Sequence, residues 1–330
     1  MKAMRLNRLG EGEPFELFDK PDADPGPGKI AIRVHAASVN VVDTMIRTGF
    51  AEIAPEDPIV LGCDVAGVVM ATGPGAARFS VGDEVYGCAG GLKGYDGAYS
   101  ERMVADERLL GKKSASLSFR AAAALPLVAI TAWEALVDRA QVRPGETVLV
   151  HGGTGGVGHI GVQFAKSMGA IVHTTVSTPE QATIATSLGA DHTILYRHRS
   201  VADYVGELTG GRGYDVVFDT VGKENIALSI EALAINGRCV STVSIGAQPD
   251  LSGLHRKNAS LHVVFMLIPM LTGQGLERHG AIMDRITALV DYGRLKPLLD
   301  DAHFTLEEIK AAHERLTSGR GRGKVVIDVR

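Results

Sequence analysis

The sequence predicts an α/β protein of two domains, one β-rich and one built on a doubly wound parallel sheet. Three observations predict it. The first hundred residues read as short strands between turns; from Thr147 onward strands alternate with helices; and a glycine-rich turn joins the first of those strands to the first of those helices. The length of 330 residues also exceeds what one core usually serves, at a soft prior of roughly 150 residues per domain.

The elements follow in order. K-I-A-I-R-V-H-A-A-S-V sets Ile30, Ile32 and Val34 on one face against Ala31, Arg33 and His35 on the other, the period of a strand. G-P-G, V-G-D-E-V-Y-G and G-Y-D-G-A-Y punctuate the strands that follow, and a short helix fits Val41 to Thr48, closed by Gly49. Near residue 120 the pattern changes: R-A-A-A-A-L-P-L-V-A-I-T-A-W-E-A-L is helical, interrupted at Pro126. T-V-L-V-H, A-I-V-H-T-T-V, H-T-I-L-Y, Y-D-V-V-F-D and R-C-V-S-T-V are strands with helices between them, one spanning Pro179 to Leu188 with proline in its first turn. Ile282, Ile286, Leu289 and Val290 line one face of a late helix that Gly293 can cap, and T-L-E-E at 305–308 is a capping box opening another. G-K-V-V-I-D-V closes the chain as a strand able to return to the first domain. The expected division is 1–122 with 269–330, and 123–268.

Composition narrows the function. A net charge of −4 without aromatic-basic clustering gives no reason to expect nucleic acid. V-V-F-M-L-I-P-M-L at 263–271 is too short to span a bilayer and contains Pro269, so no membrane partner is expected. The start, M-K-A-M-R-L-N-R-L-G-E-G-E, lacks the apolar core of a signal peptide, and three widely spaced cysteines form no disulfide framework; the expected compartment is the cytoplasm.

V-L-V-H-G-G-T-G-G-V-G-H-I-G, residues 148–161, holds Gly153, Gly155 and Gly158 in G-x-G-x-x-G spacing between a strand and a helix. Such a turn lets backbone amides approach a pyrophosphate, with the helix N-terminus supplying free N–H groups. An NAD site places an acid about 20 residues on. Here the second strand ends H-T-T-V-S-T-P, and the first acid, Glu180, already lies on the helix. Ser177 and Thr178 can donate to a phosphate, and Tyr196, Arg197 and Arg199 end the third strand. The cofactor expected is NADP(H).

These residues resemble the medium-chain dehydrogenases/reductases, in particular the zinc-independent quinone oxidoreductase (zeta-crystallin-like) branch. S-V-N-V-V-D-T-M-I-R-T-G, L-G-C-D-V-A-G, V-G-D-E-V-Y-G, G-A-Y-S-E, L-G-A-D and the terminal G-R-G-K-V-V-I agree in order along the chain. The resemblance implies a GroES-like catalytic domain completed by the C-terminal segment, a Rossmann domain between, and a homodimer. It implies hydride transfer from NADPH to a small hydrophobic quinone or α,β-unsaturated carbonyl, without metal. The alternatives are an enoyl or 2-alkenal reductase of the same superfamily and a non-enzymatic NADPH-binding sensor.

The resemblance also assigns residues. Cys63 stands where the zinc branch has a ligand histidine, and Asn40 where it has a ligand cysteine; an amide binds zinc poorly, so no metal is expected and Cys63 is read as a buried packing residue. His151, His159 and His173 are read as core or turn residues. Asn40 is placed at the nicotinamide, where its amide can bond the ring or a substrate carbonyl. Asp43 and Arg47 join it as catalytic candidates, at the i,i+4 spacing of an ion pair. The cofactor-binding set is Asn40, Thr131, Gly153, Thr154, Gly155, Gly156, Val157, Gly158, Ser177, Tyr196, Arg197, Val243, Ser244, Ile245 and Lys324. Two departures stand out: Phe50 replaces a tyrosine, which leaves solvent to protonate the product, and Gln181 replaces the lysine expected against the 2′-phosphate.

Overall fold

In the computed structural model, which describes all residues 1–330, the chain divides into two units: Met1–Ile130 with Leu267–Arg330, and Thr131–Met266. The first division falls inside the helix Pro126–Trp133 rather than at 122. Packing explains the shift. The helix Phe119–Ala123 lies on the strands Lys29–Ser38 and Asp64–Thr72, and the Leu127 amide donates to the Asp64 carboxylate at 2.9 Å. These residues therefore go with the first unit. The second division stands at Leu267 rather than 269.

The first unit is organised on one mixed sheet. Its path runs Phe304–Thr305, Val326–Asp328, Lys29–Ser38, Asp64–Thr72, Glu84–Cys88 and Leu110–Lys112, with Arg102–Asp106 also pairing Lys29–Ser38. The expected inside–outside alternation of Lys29–Ser38 is incomplete: Ala31 is as fully buried as Ile30, Ile32 and Val34. The strand has neighbours on both edges, and His35 on its other face is stacked on Phe119 with centroids 4.2 Å apart. The C-terminal strand does return here. Val326 pairs with Ser38 in antiparallel register, and the Val39 amide donates to the Val325 carbonyl at 2.9 Å. That pairing carries Lys324 to Asn40. The box at Thr305 forms, with Glu308 accepting from the Thr305 amide at 2.8 Å ahead of the helix Ile309–Thr317. The helix Leu276–Asp291 buries Ile282, Met283, Ile286 and Val290, and Gly293 follows with φ +66°.

The second unit is a six-stranded parallel sheet: Thr147–Val150, Ile171–Val176, His192–Leu195, Tyr214–Asp219, Leu233–Ser241 and Ser260–Val263. Across the sheet these lie in the order third, second, first, fourth, fifth, sixth. The order reverses between the first and fourth strands, and ligands bind outside the carboxyl ends of strands at such a switch point. The sixth strand, S-L-H-V, is not among the strands expected from sequence, although its four residues alternate polar and apolar. Leu149, Ile194, Tyr204, Tyr214, Val217 and Cys239 form a buried cluster of this unit. No helix of the chain is long and apolar enough to cross a membrane.

Candidate active site

The nucleotide loop sits at the switch point of the second unit. The first strand ends at Val150, the chain turns through 151–157, and the helix Gly158–Ser167 begins. Two of the three motif glycines are required by close approach. A Cβ at Gly153 would stand 2.1 Å from Thr174 Oγ1, and one at Gly158 2.1 Å from the Gly152 carbonyl. Further along, a Cβ at Gly161 would meet the Phe218 ring at 2.7 Å, so the helix lies flush on the fourth strand. The Gly155 amide turns back to the Gly152 carbonyl at 2.8 Å, while the amides of Thr154, Gly156 and Val157 have no partner within the chain. Unsatisfied donors at a helix N-terminus, with no side chain between them and solvent at Gly155 and Gly156, fit a dinucleotide pyrophosphate.

Neighbouring strands deliver the other expected residues. Val176 and Leu195 are register partners, so Ser177 and Tyr196 emerge side by side at the carboxyl edge. No carboxylate stands at the tip of the second strand. Gln181 accepts from the Ser177 amide at 2.9 Å and from its hydroxyl at 2.7 Å, so it braces this turn. Arg199 is spent on Glu207. Arg197 is exposed and makes no ion pair; its guanidinium lies 6.0 Å from the Tyr196 ring centroid. After the fifth strand, the Val243 carbonyl accepts from the Lys223 amide at 3.1 Å, Ser244 is half-buried and Ile245 exposed. Thr131 is buried on the helix Pro126–Trp133.

One residue of this unit was missed from sequence. Asp219, fully buried at the end of the fourth strand, accepts from the Val221 and Gly222 amides at 2.9 and 2.8 Å and from the Ser229 hydroxyl at 2.9 Å. It shapes the turn that faces the glycine loop across the switch point. An acid closing an apolar strand was the available signal.

The first unit holds a buried polar cluster. Asn40 precedes the helix Val41–Thr48 and is 4% exposed. Its Nδ2 donates to Asp64 at 2.9 Å, and its Oδ1 accepts from Lys324. The Lys324 ammonium also donates to the Val39 carbonyl at 3.1 Å and lies 3.4 Å from Asp64. Ser38 donates to Asp64 at 2.9 Å. The Asn40 amide is thus engaged within the cluster, with one Nδ2 proton left over. Asp64 is the hub, and sequence reading passed it over although it lies inside L-G-C-D-V-A-G.

Asp43 and Arg47 do not form the expected pair. The Asp43 carboxylate accepts from the Asn40 amide at 2.8 Å, the Gly62 amide at 3.2 Å and the Cys63 thiol at 3.4 Å. Burial, opposed by the Asn40 bond and aided by the Asp64 charge, pushes its carboxyl up to about 6. Arg47 turns the other way: it donates to the Glu13 carbonyl at 3.1 Å and covers the Phe15 ring at 5.4 Å. The helix N-terminus competes for an acid at this position and wins over an i,i+4 partner.

Cys63 is fully buried. A hydrogen bond with Cys88, burial and the Asp43 charge hold its thiol well above the ordinary range. No group of three or more His, Cys, Asp or Glu side chains that could hold a metal ion occurs in the chain. The donors gathered at Asn40 already surround an ammonium, so this set does not suit zinc. His151, His159 and His173 are buried; His151 shares a contact with Thr175 Oγ1 at 3.2 Å and His173 with the Tyr214 hydroxyl at 3.0 Å.

Comparison with known proteins agrees with this architecture. Residues 26–115 match the alcohol dehydrogenase GroES-like domain, and residues 188–327 match a family described as zinc-binding dehydrogenase. The chain is 34% identical to a quinone oxidoreductase of Pseudomonas aeruginosa, over 99% of both chains. It is 41% identical to a 2-haloacrylate reductase of a Burkholderia species, over 72% of this chain and 71% of that one. The Escherichia coli quinone oxidoreductase solved with NADPH superposes with a TM-score of 0.87 at 28% identity, covering 100% of both chains. Fold, nucleotide loop and full-length relatives agree: the chain is an oxidoreductase of the medium-chain dehydrogenase/reductase superfamily, related to the quinone oxidoreductases.

Proposed function

We propose that the protein binds NADPH and transfers its hydride to a quinone or related α,β-unsaturated carbonyl, without a metal. The observation that carries the reading is the Lys324–Asn40–Asp64 cluster: the amide at the position of a ligand cysteine in the metal-dependent branch is held between a carboxylate and an ammonium. NADPH, when bound, supplies the hydride, and the protein supplies binding, orientation and electrostatics. The free amides of Thr154, Gly156 and Val157 would hold the pyrophosphate. Ser177, Tyr196 and Arg197 would receive the 2′-phosphate, and the missing acid removes the group that would repel it. Thr131, Val243, Ser244, Ile245 and Lys324 would flank the nicotinamide, and the spare Asn40 proton would bond its carboxamide or the acceptor carbonyl. Asp43 holds Asn40 through its backbone, and Arg47 supports the Glu13–Phe15 segment instead of touching substrate.

The NADPH complex of the E. coli relative and the quinone oxidoreductase relatives support this reading. The 2-haloacrylate reductase relative favours a second acceptor class, a conjugated acid or enal. We further propose a cytoplasmic homodimer; the unpaired edge strand Ser260–Val263, with Val263 half exposed, supports pairing between two copies. The test is NADPH and NADH oxidation with ortho- and para-quinones, 2-alkenals and 2-chloroacrylate. Turnover that prefers NADPH and one conjugated acceptor is expected. Tight NADPH binding with no acceptor reduced would overturn the proposal.

A further inference from the structure

Asp64 is completely buried and ionisable, a combination that costs stability unless the charge is used. Its four partners account for that use. Oδ1 accepts from the Leu127 amide at 2.9 Å; Oδ2 accepts from Ser38 Oγ and Asn40 Nδ2, each at 2.9 Å, and faces Lys324 at 3.4 Å. Three of these partners are side chains, and two of them, Asn40 and Lys324, belong to the proposed site.

The chemistry of the three groups allows one arrangement. An ionised carboxylate only accepts, and an ammonium only donates. Asn40 lies between them, so its Nδ2 must face Asp64 and its Oδ1 must face Lys324. The opposite flip would set oxygen against carboxylate and N–H against ammonium. The buried carboxylate nearby, Asp43, is different in kind: it spends its oxygens on two backbone amides and a thiol. Asp43 shapes backbone, whereas Asp64 orients side chains.

We propose that Asp64 is a positioning residue of the reductase reaction, locking the Asn40 carboxamide in one orientation and seating Lys324 against it, so that one Asn40 proton is presented in a fixed direction. This rests on the reductase reading above. It adds a residue that acts through Asn40 and does not itself touch cofactor or acceptor.

The test is a double-mutant cycle on the full-length protein with NADPH and 1,4-naphthoquinone, using N40A, D64A and N40A/D64A. D64A/K324M serves as the companion variant that leaves no unpaired ammonium. D64A is expected to lower kcat by roughly 10²-fold, the scale of losing orientation at a reacting centre, while NADPH affinity stays within about twofold because the nucleotide loop is untouched; D64A/K324M, which also removes a proposed cofactor contact, is read for folding and amide exchange alone. In the N40A background, adding D64A should change kcat by less than about threefold. Multiplicative losses, or a kcat that falls only as the folded fraction falls, would overturn the proposal. A second readout needs no turnover: exchange of the Asn40 side-chain amide protons followed by NMR. Slow exchange in the unmodified protein that becomes fast in D64A/K324M supports the lock; equal exchange in both overturns it. An unmodified protein that reduces no acceptor would sink the reductase reading, and the exchange measurement would still decide the role of Asp64.

Discussion

The nucleotide loop of the second unit and the polar cluster of the first are built from opposite materials. The loop is backbone: a contiguous run, 151–158, in which Gly153 and Gly158 matter for the atoms they lack. The cluster is side chain: Ser38, Asn40, Asp64 and Lys324, joined to the Leu127 amide and drawn from both ends of the chain. The loop acts through partial charges on unpaired amides, which cost little to leave facing water. The cluster acts through full charges out of water, which are stable only while every partner is present. The loop should therefore fail by steric crowding and the cluster by electrostatic imbalance.

The largest effect should come from unbalancing the cluster. Lys324→Met strands Asp64 without its cation and should cost about 3–5 kcal/mol in urea unfolding; Asp64→Asn added to it should recover part of that loss. A loss below about 1 kcal/mol would erase the contrast between the two regions. Gly158→Ala tests the other side. Its Cβ would collide with the Gly152 carbonyl, so about 1–3 kcal/mol of stability should be lost. NADPH affinity, measured by fluorescence titration, should fall roughly 10- to 100-fold as one charge-assisted contact is displaced.

Arg197→Ala sharpens the comparison inside the loop region. The exposed guanidinium is free of ion pairs, so its removal should weaken NADPH about tenfold and leave NADH unchanged. Equal weakening of both cofactors would move the 2′-phosphate elsewhere. The smallest effect is a pH dependence of the carboxylate beside the cluster. Asp43 has a folded-state value of about 6 against 3.8 for the free side chain, so between these values the folded state binds the extra proton. Stability from this group is therefore present at low pH and lost as pH rises through 6. From pH 7 to pH 5 the protein should gain about 1 kcal/mol relative to Asp43→Asn. Identical pH profiles for the two proteins would contradict the assignment.

The same contrast explains what could be read from sequence. The glycine loop, the alternation of strands and helices, Pro179 in a first helical turn and the Thr305–Glu308 box are local, and each appears where its residues dictate. Asp64 was not legible as a hub, because its partners meet only when Val326 pairs with Ser38 and Leu127 folds onto the sheet. The Asp43–Arg47 pairing failed for a reason the sequence contained: N-V-V-D places an acid where it can accept from the amide that precedes the helix, and backbone donors outbid a guanidinium one turn away. Arg47 found its own partner in the Glu13 carbonyl, 34 residues earlier, which spacing on one helix cannot show. The expected division at 122 and the one at Ile130 differ for a similar reason, since a helix-rich composition does not reveal which sheet the helix covers.

The central question is whether hydride transfer at the Asn40–Lys324 cluster proceeds without a metal. The direct measurement is NADPH oxidation by a quinone on protein dialysed against a strong chelator, with metal content assayed in the same sample and zinc then added back. The account predicts full turnover in protein free of zinc, with no gain on adding it. Activity that disappears with the metal and returns with zinc would contradict it.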